Sequence, residues 1–217
     1  MDIAKVIAQE LGIRAGQVEA TVKLIDEGCT IPFIARYRKE VTGSLNDEVL
    51  RDLYERLNYL RNLEERKETV IASIEEQGKL TDELKKQILD AMTLVAVEDL
   101  YRPYKQKRRT RATIAKEKGL EGLANIIYLQ MADHPIETDA QEYISEEKGV
   151  TSIDEAITGA LDIIAENISD EAEYRTYIRD ITVKEGKLVT AAKDAEAKSV
   201  YEMYYDFEEP IAKAAGY

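Results

Sequence analysis

Apolar residues recur every three or four positions between residues 49 and 74, which is the pattern of one face of an amphipathic helix. We predict one long helix over residues 46–77, opened by a capping box of Ser44 and Asp47. Residues 64–69 are all polar and interrupt the apolar pattern. The helix is therefore expected to span two packing centres and to leave its middle in solvent.

Two shorter helical patterns precede it, at residues 2–10 and 15–27, and form a helix-turn-helix-like pair. In a DNA-binding pair the second helix would present cationic or amide side chains to the groove. Here its polar positions are net negative, and they are Gln17, Glu19, Lys23, Asp26 and Glu27. We therefore expect the pair to pack within the fold rather than to read DNA.

A short helix is predicted after Thr30, with Pro32 in its first turn. Arg36, Arg38 and Lys39 fall in its last turn, where positive charge suits the helix dipole. We favour a structural role for these cations at a junction, with their stems packed and their charged heads paired. The alternative is a small secondary basic patch.

Further helices are predicted downstream from apolar spacing and capping patterns, over residues 81–92, 94–100, 119–131, 139–148, 153–167, 170–184 and 194–205. In the helix at 170–184, one face is expected to be buried, and its residues are Tyr174, Tyr177, Ile178 and Ile181. The predicted fold class is all-α, an elongated multi-helix array organised on the long helix.

Charge is segregated along the chain, which has 217 residues and a formal net charge of −13. From residue 137 onward it carries 20 acidic and 8 basic residues. We predict a helical region over residues 1–131 and an acidic helical region over residues 139–217, with the boundary between Met131 and Asp139. The alternative is that both regions form one domain. The overall charge argues against a surface that binds nucleic acid or anionic membrane over its whole extent.

Positive charge is concentrated in residues 102–118, here called the basic segment, which holds eight basic residues and one acidic residue. Tyr101 and Tyr104 add rings on which unpaired bases can stack. One interpretation is phosphate contact, and the candidate residues are Arg102, Lys105, Lys107, Arg108, Arg109 and Arg111. The other is pairing with acidic groups of the same protein or of a partner, and both stay open.

Catalytic chemistry is not indicated by the available side chains. His134 is the single histidine and Cys29 the single cysteine, too few for a His/Cys metal site or a nucleophile–base pair. We expect no enzyme activity, no cofactor and no metal. The start lacks a signal-peptide pattern, and no stretch approaches the roughly 20 apolar residues of a membrane helix. The expected location is the cytoplasm, without a membrane partner.

Three motifs carry a family resemblance: TIPFIARYRKEVTGSLND at residues 30–47, EDLYRPYKQKRRTRATIA at 98–115 and YYDFEEPI at 204–211. Their order and spacing resemble the N-terminal region of the Tex family of bacterial transcription accessory proteins. The resemblance implies a longer protein that continues into an RNase-H-like region, helix-hairpin-helix elements and an S1 RNA-binding domain. In that family nucleic-acid binding is associated chiefly with the S1 domain.

From this resemblance we expect a non-catalytic helical scaffold of a factor that associates with RNA or another nucleic acid and with the transcription machinery. The alternative is a pure protein-docking platform without nucleic-acid contact. An aromatic, apolar cluster near the end is expected to pack against downstream domains, and its residues are Tyr201, Tyr204, Tyr205, Phe207 and Ile211.

Overall fold

The computed structural model describes residues 1–214. Over these residues the chain forms eleven α-helices and two strands, so the predicted all-α class is confirmed apart from one small sheet. The elements are α1 (Ile3–Leu11), α2 (Ala15–Asp26), α3 (Ile31–Tyr37), α4 (Asp47–Glu76), α5 (Asp82–Asp90), α6 (Leu94–Tyr101), α7 (Arg111–Glu117), α8 (Glu121–Leu129), α9 (Ile136–Gln141), α10 (Ile153–Asp170), α11 (Ala172–Glu185), β1 (Lys187–Ala191) and β2 (Asp206–Pro210).

Two compact units make up the chain, Met1–Tyr101 and a second unit that begins at Arg102. The division predicted between Met131 and Asp139 falls inside the second unit, where α8 and α10 pack together from either side of that stretch. The change of charge along the sequence therefore does not coincide with the division in contacts.

Helix α4 is the frame of the first unit and has the predicted length. Its cap is Asn46, whose side chain accepts a hydrogen bond from the backbone N–H of Val49 at 2.8 Å. The capping box predicted from Ser44 and Asp47 is wrong. Ser44 has a left-handed backbone with φ of 65° two residues before the cap, and Asp47 is already the first helical residue.

In the middle of α4, Glu65, Glu68 and Thr69 are exposed as predicted, but the predicted solvated middle is wrong at Lys67, which is buried. The side chain of Lys67 is only 1% exposed, and its ammonium lies 2.9 Å from a carboxylate oxygen of Glu64. It also donates a hydrogen bond to the backbone oxygen of Leu89 at 2.8 Å. The lysine stem continues the buried stripe between Leu63 and Val70 while its charged head finds oxygen partners.

The two packing centres expected along α4 are present. Helices α1, α2 and α3 pack on it in one group, and α5 and α6 in another. Arg56 of α4 pairs with Glu10 of α1 at 2.6 Å, and Arg66 pairs with Glu98 of α6 at 2.6 Å. The first two helices pack on each other as predicted, with Ile7 fully buried in α1.

The second unit is built around α10, which packs against α7, α8 and α9. Its core consists mainly of alanine and aliphatic side chains, and the buried members are Ala112, Ala115, Leu120, Leu123, Ala124, Ala140, Val150, Ala156, Ala160 and Ile163. Helix α9 is shorter than predicted and begins earlier, because Pro135 precedes its first turn and the chain folds back at an isolated bridge between Ser145 and Val150.

Helix α11 differs from its prediction in both start and burial. Ser169 does not cap it, because α10 continues to Asp170 and α11 begins at Ala172. The face predicted to be buried is exposed: Tyr174 46%, Tyr177 66%, Ile178 60% and Ile181 38%. The helical spacing was correct, but α11 buries no residue in the described chain.

The helix predicted over residues 194–205 is wrong. Strand β1 pairs antiparallel with β2, from Lys187 opposite Pro210 to Ala191 opposite Asp206. In β2, exposed and half-buried residues alternate, which is the two-residue period of a strand. The segment between the strands contains only a short 3₁₀ turn over Glu202–Tyr204.

Candidate nucleic-acid interface

The basic segment begins with a 3₁₀ turn over Arg102–Tyr104, runs through a loop and ends in α7. Thr110 caps α7, because its hydroxyl oxygen accepts a hydrogen bond from the N–H of Thr113 at 3.0 Å. The same hydroxyl donates to Glu166 of α10 at 2.8 Å. One side chain thus starts the helix and ties the loop to α10.

Small residues let α7 approach α10 closely. Ala112 and Ala115 of α7 are almost completely buried. On α10, a Cβ added at Gly159 would lie 3.3 Å from the Cβ of Ala115 and 2.4 Å from a methyl carbon of Leu120. The glycine is therefore required by the close approach of the neighbouring side chains, and this contact fixes where the basic segment lies on α10.

An acidic stripe on α10 faces the basic segment. Its members, Glu155, Asp162, Glu166 and Asp170, follow each other at intervals of seven, four and four residues, which places them on one side of a helix. Asp170 is 8% exposed. The stripe therefore places four carboxylates next to the cations of the basic segment.

The cations of the basic segment pair with this stripe in order. Lys107 donates to Glu166 at 2.6 Å and also to Asp170. Arg102 donates to the other oxygen of Asp170 at 2.9 Å. Lys118, at the end of the segment, donates to Glu155 at 2.6 Å. These pairs support the interpretation that part of the segment is structural.

The pairing shifts the pKa values of Lys107, Glu166 and Glu155 in the stabilising direction. Burial alone would lower the pKa of Lys107, but its bonds to Asp170 and Glu166 outweigh burial and raise it. Burial would raise the pKa of Glu166, but bonds from Lys107 and Thr110 lower it. Lys118 and Thr151 lower the pKa of Glu155 to about 2. Lys107, Glu166 and Glu155 are therefore charged at neutral pH.

Two predicted phosphate-binding cations stay unpaired. Lys105 and Arg108 are exposed and form no ion pair within residues 1–214. Arg109 pairs with the exposed Glu117 at 2.6 Å, and the 86%-exposed Arg111 lies 3.7 Å from Asp162. Exposed pairs of this kind contribute little to stability, so Arg109 and Arg111 remain accessible to another anion.

A cleft of about 390 Å³ opens beside the loop. Three cations and three carboxylates line it, and they are Lys105, Lys107, Lys116, Glu166, Asp170 and Glu171. Lys116 is exposed and forms no ion pair in the part of the chain described. Sequence reasoning counted Lys116 in the segment but not as a site residue.

The tyrosines beside the basic segment are already engaged. The hydroxyl of Tyr101 lies 3.0 Å from that of Ser73, and the guanidinium of Arg66 lies 5.3 Å from the centre of its ring. Tyr104 is half-buried. Neither ring is therefore fully open for the predicted stacking of a base.

The aromatic cluster near the end is partly exposed. Tyr201 and Tyr204 are 66% and 47% exposed, whereas Tyr205, Phe207 and Ile211 are half-buried. The rings of Tyr204 and Phe207 lie 5.5 Å apart in an edge-to-face arrangement. These contacts close the hairpin on itself, and packing against downstream domains stays a prediction.

Neither a metal centre nor a membrane helix was found in the described part of the chain. Residues 1–214 contain no group of three or more His, Cys, Asp or Glu side chains placed to hold a metal ion. None of their helices is long and apolar enough to cross a membrane. His134 hydrogen-bonds with Asp139 and Asp133, which raise its pKa. It is an exposed histidine held by carboxylates.

We expect Asp170→Asn to loosen the basic segment, because the carboxylate that pairs with both Arg102 and Lys107 loses its charge. The expected loss is about 1–2 kcal/mol in the free energy of unfolding of the second unit, allowing for partial exposure. Urea unfolding and amide hydrogen exchange measure it. The matched control is Asp180→Asn, an exposed carboxylate without a bonded partner among residues 1–214. Equal effects of the two changes would contradict the structural role of Asp170.

Comparisons with known proteins place the chain in a class. Residues 1–75 match the family model of the Tex-like protein N-terminal domain, and residues 131–216 match that of the Tex central region-like family. Both matched regions belong to the same kind of protein.

Individual relatives agree with the family models. The chain is 52% identical over 210 residues to uncharacterized protein YdcI of Bacillus subtilis, covering 95% of this chain and 29% of that protein. It is 44% identical over 216 residues to transcriptional accessory protein Tex of Neisseria gonorrhoeae, covering 97% and 28%. It is 29% identical over 185 residues to human S1 RNA-binding domain-containing protein 1, covering 84% and 18%.

The chain belongs to the Tex family. It spans less than a third of the length of each of these relatives.

Proposed function

We propose that this chain is a non-catalytic helical scaffold and interaction region of a Tex-like transcription accessory protein, and that it contacts RNA through the basic segment. The observation that carries the proposal is that some cations of the basic segment form ion pairs within the chain and others do not. Arg102 and Lys107 form ion pairs with carboxylates of α10, whereas Lys105 and Arg108 form no ion pair with a carboxylate of the described residues. The paired cations position the loop, and the unpaired ones bind phosphate.

Support for the wider role comes from the names of relatives. The Neisseria relative is called a transcriptional accessory protein, and the human relative is called an S1 RNA-binding domain-containing protein. The proposed partners are RNA or another nucleic acid, the transcription machinery and further domains of a full-length protein. A cytoplasmic location and the absence of enzyme activity are part of the same proposal.

The proposal is tested by fluorescence anisotropy of the 217-residue chain with a labelled single-stranded RNA over a salt series. In the variant Lys105→Gln/Arg108→Gln, we expect the slope of log K against log salt to become less negative by about 1.4, because each phosphate contact on a single strand contributes about 0.7. The matched control is Lys85→Gln/Lys86→Gln, two exposed lysines of α5 with the same change of charge.

Equal slopes in the two variants would show that the loop cations have no special role. Absence of binding by the unaltered chain at low salt would contradict RNA contact by this region.

A protein-docking platform is the second candidate function. The observation that favours it is the exposed apolar face of α11, which includes Tyr177 at 66% and Ile178 at 60% exposure. Contiguous apolar surface of this kind is typical of protein interfaces. The acidic character of the same third of the chain suits a basic partner. Salt-sensitive binding to protein without binding to RNA would distinguish this function.

A further inference from the structure

A stack of cations and rings covers the exposed side of α3. The guanidinium of Arg38 lies 5.1 Å from the ring centre of Phe33, the ring of Phe33 lies 5.3 Å from that of Tyr37, and the guanidinium of Arg36 lies 5.9 Å from the ring of Tyr37. Tyr37 is 54% exposed and Phe33 is 37% exposed. The contacts run in the order Arg38, Phe33, Tyr37 and Arg36, and the planes of the two rings are tilted by 48°.

The charged heads of this surface are not paired with carboxylates, contrary to the structural role favoured from the sequence. Arg36 and Lys39 are exposed, and neither forms an ion pair within residues 1–214. Arg38 donates to the backbone oxygen of Tyr37 at 3.1 Å, which is a neutral acceptor. In a chain of net charge −13, this is a local cationic surface without internal compensation.

A cleft of about 460 Å³ lies between α3 and the first turns of α4, next to the stack. Its charged lining consists of Arg36, Lys39 and Arg51 against one carboxylate, Asp47. Arg51 already pairs with Asp47. The cleft therefore offers two uncompensated cations within reach of an entering anion, and Arg36 belongs to both the cleft and the stack.

We propose that this surface is a second nucleic-acid site, which binds a single-stranded polynucleotide. Arg36 and Lys39 contact successive phosphates at the cleft, and an unpaired base stacks on Tyr37. Electrostatic contact to the backbone combined with aromatic stacking is how proteins hold single strands without reading sequence. A duplex keeps its bases inside and offers none to a ring, and an acidic peptide need not contain a planar group.

The site lies in the first unit and uses no residue of the basic segment, so it does not rest on the function proposed above. The experiment is anisotropy of the 217-residue chain with labelled 12-nucleotide oligoadenylate, as RNA and as DNA, and with labelled oligoglutamate. Arg36→Gln/Lys39→Gln is compared with Lys85→Gln/Lys86→Gln, and Tyr37→Leu with Tyr54→Leu. Tyr54 is an exposed tyrosine of α4 without a bonded partner among the described residues. Circular dichroism is used to check that every variant is folded.

We expect the double variant of α3 to make the salt slope less negative by about 1.4 relative to its control. Tyr37→Leu should weaken binding by about fivefold or more, since one stacked base is worth at least that factor. Binding of both RNA and DNA with these losses supports the site.

Three results would overturn the inference: no binding at low salt, equal losses in the matched controls, or equally tight binding of oligoglutamate that does not depend on Tyr37. Loss of binding in Lys105→Gln/Arg108→Gln with unchanged binding in the α3 variants would keep the proposed function and reject this second site.

Discussion

Lys67→Ala is expected to destabilise the first unit by about 3 kcal/mol, because it removes a buried ion pair and the long stem that fills the stripe of α4. The change also leaves the backbone oxygen of Leu89, at the end of α5, without the ammonium that bonds it at 2.8 Å. The Glu64 oxygen that faces the ammonium is buried, but the other oxygen of this carboxylate accepts a hydrogen bond from the N-terminal amine of Met1 at 2.7 Å, which keeps the loss at the lower end of the range for buried pairs. Urea unfolding, with hydrogen exchange of α4 amides as the local readout, measures the effect.

Two companion variants separate charge from packing at this position. Lys67→Met keeps most of the buried stem and removes the charge, so it should lose less stability than Lys67→Ala. Lys86→Ala on the exposed side of α5 should change stability by no more than about 0.5 kcal/mol. A loss below about 1 kcal/mol for Lys67→Ala would contradict the view that this lysine is part of the core.

Gly159→Val should destabilise the second unit by about 2 kcal/mol, because the added side chain collides with Leu120 and Ala115 in a closely packed core. The clash outweighs the gain of a few tenths of a kcal/mol from the better helix propensity of valine. Since α7 must move away from α10, we also expect faster exchange of the α7 amides and weaker pairing between the basic segment and the acidic stripe. Thermal unfolding and hydrogen exchange measure these effects.

Thr158→Val is the matched control, since it creates the same residue one position earlier on the exposed side of α10. A graded response, with Gly159→Ala between the natural chain and Gly159→Val, would confirm a steric cause. Equal stability of the two valine variants would contradict it.

The long helix could be predicted from the sequence because apolar residues repeat at helical spacing and occupy seven of its eight buried positions. Lys67 was missed because a search for apolar spacing counts every lysine as exposed. The aliphatic stem of Lys67 nevertheless fills a position of the buried stripe. The cap at Asn46 was missed for a related reason. Ser44 and Asp47 matched a pattern of types, but backbone geometry decides which residue is the cap.

At the basic segment, the sequence predicted the cationic cluster but not its partners. Pairing with α10 joins residues about 60 positions apart, as in Lys107 and Asp170, and no local pattern encodes that distance. Glu155, Asp162 and Glu166 lie on the helix predicted over residues 153–167, but Asp170 was assigned to the next predicted helix. Periodicity also does not say what faces a polar stripe. The hairpin was missed because the tyrosines near the end also fit a helical spacing.

Pairing across such a separation has a consequence for synthesis on the ribosome. Lys107 precedes Asp170 by 63 residues. At about 5–20 residues per second, the lysine is made roughly 3–13 seconds before its partner. During that interval the nascent basic segment carries its full positive charge without the carboxylates that later neutralise it. The growing chain is thus most attracted to polyanions before α10 has been synthesised, and this attraction falls once the carboxylates of α10 are present.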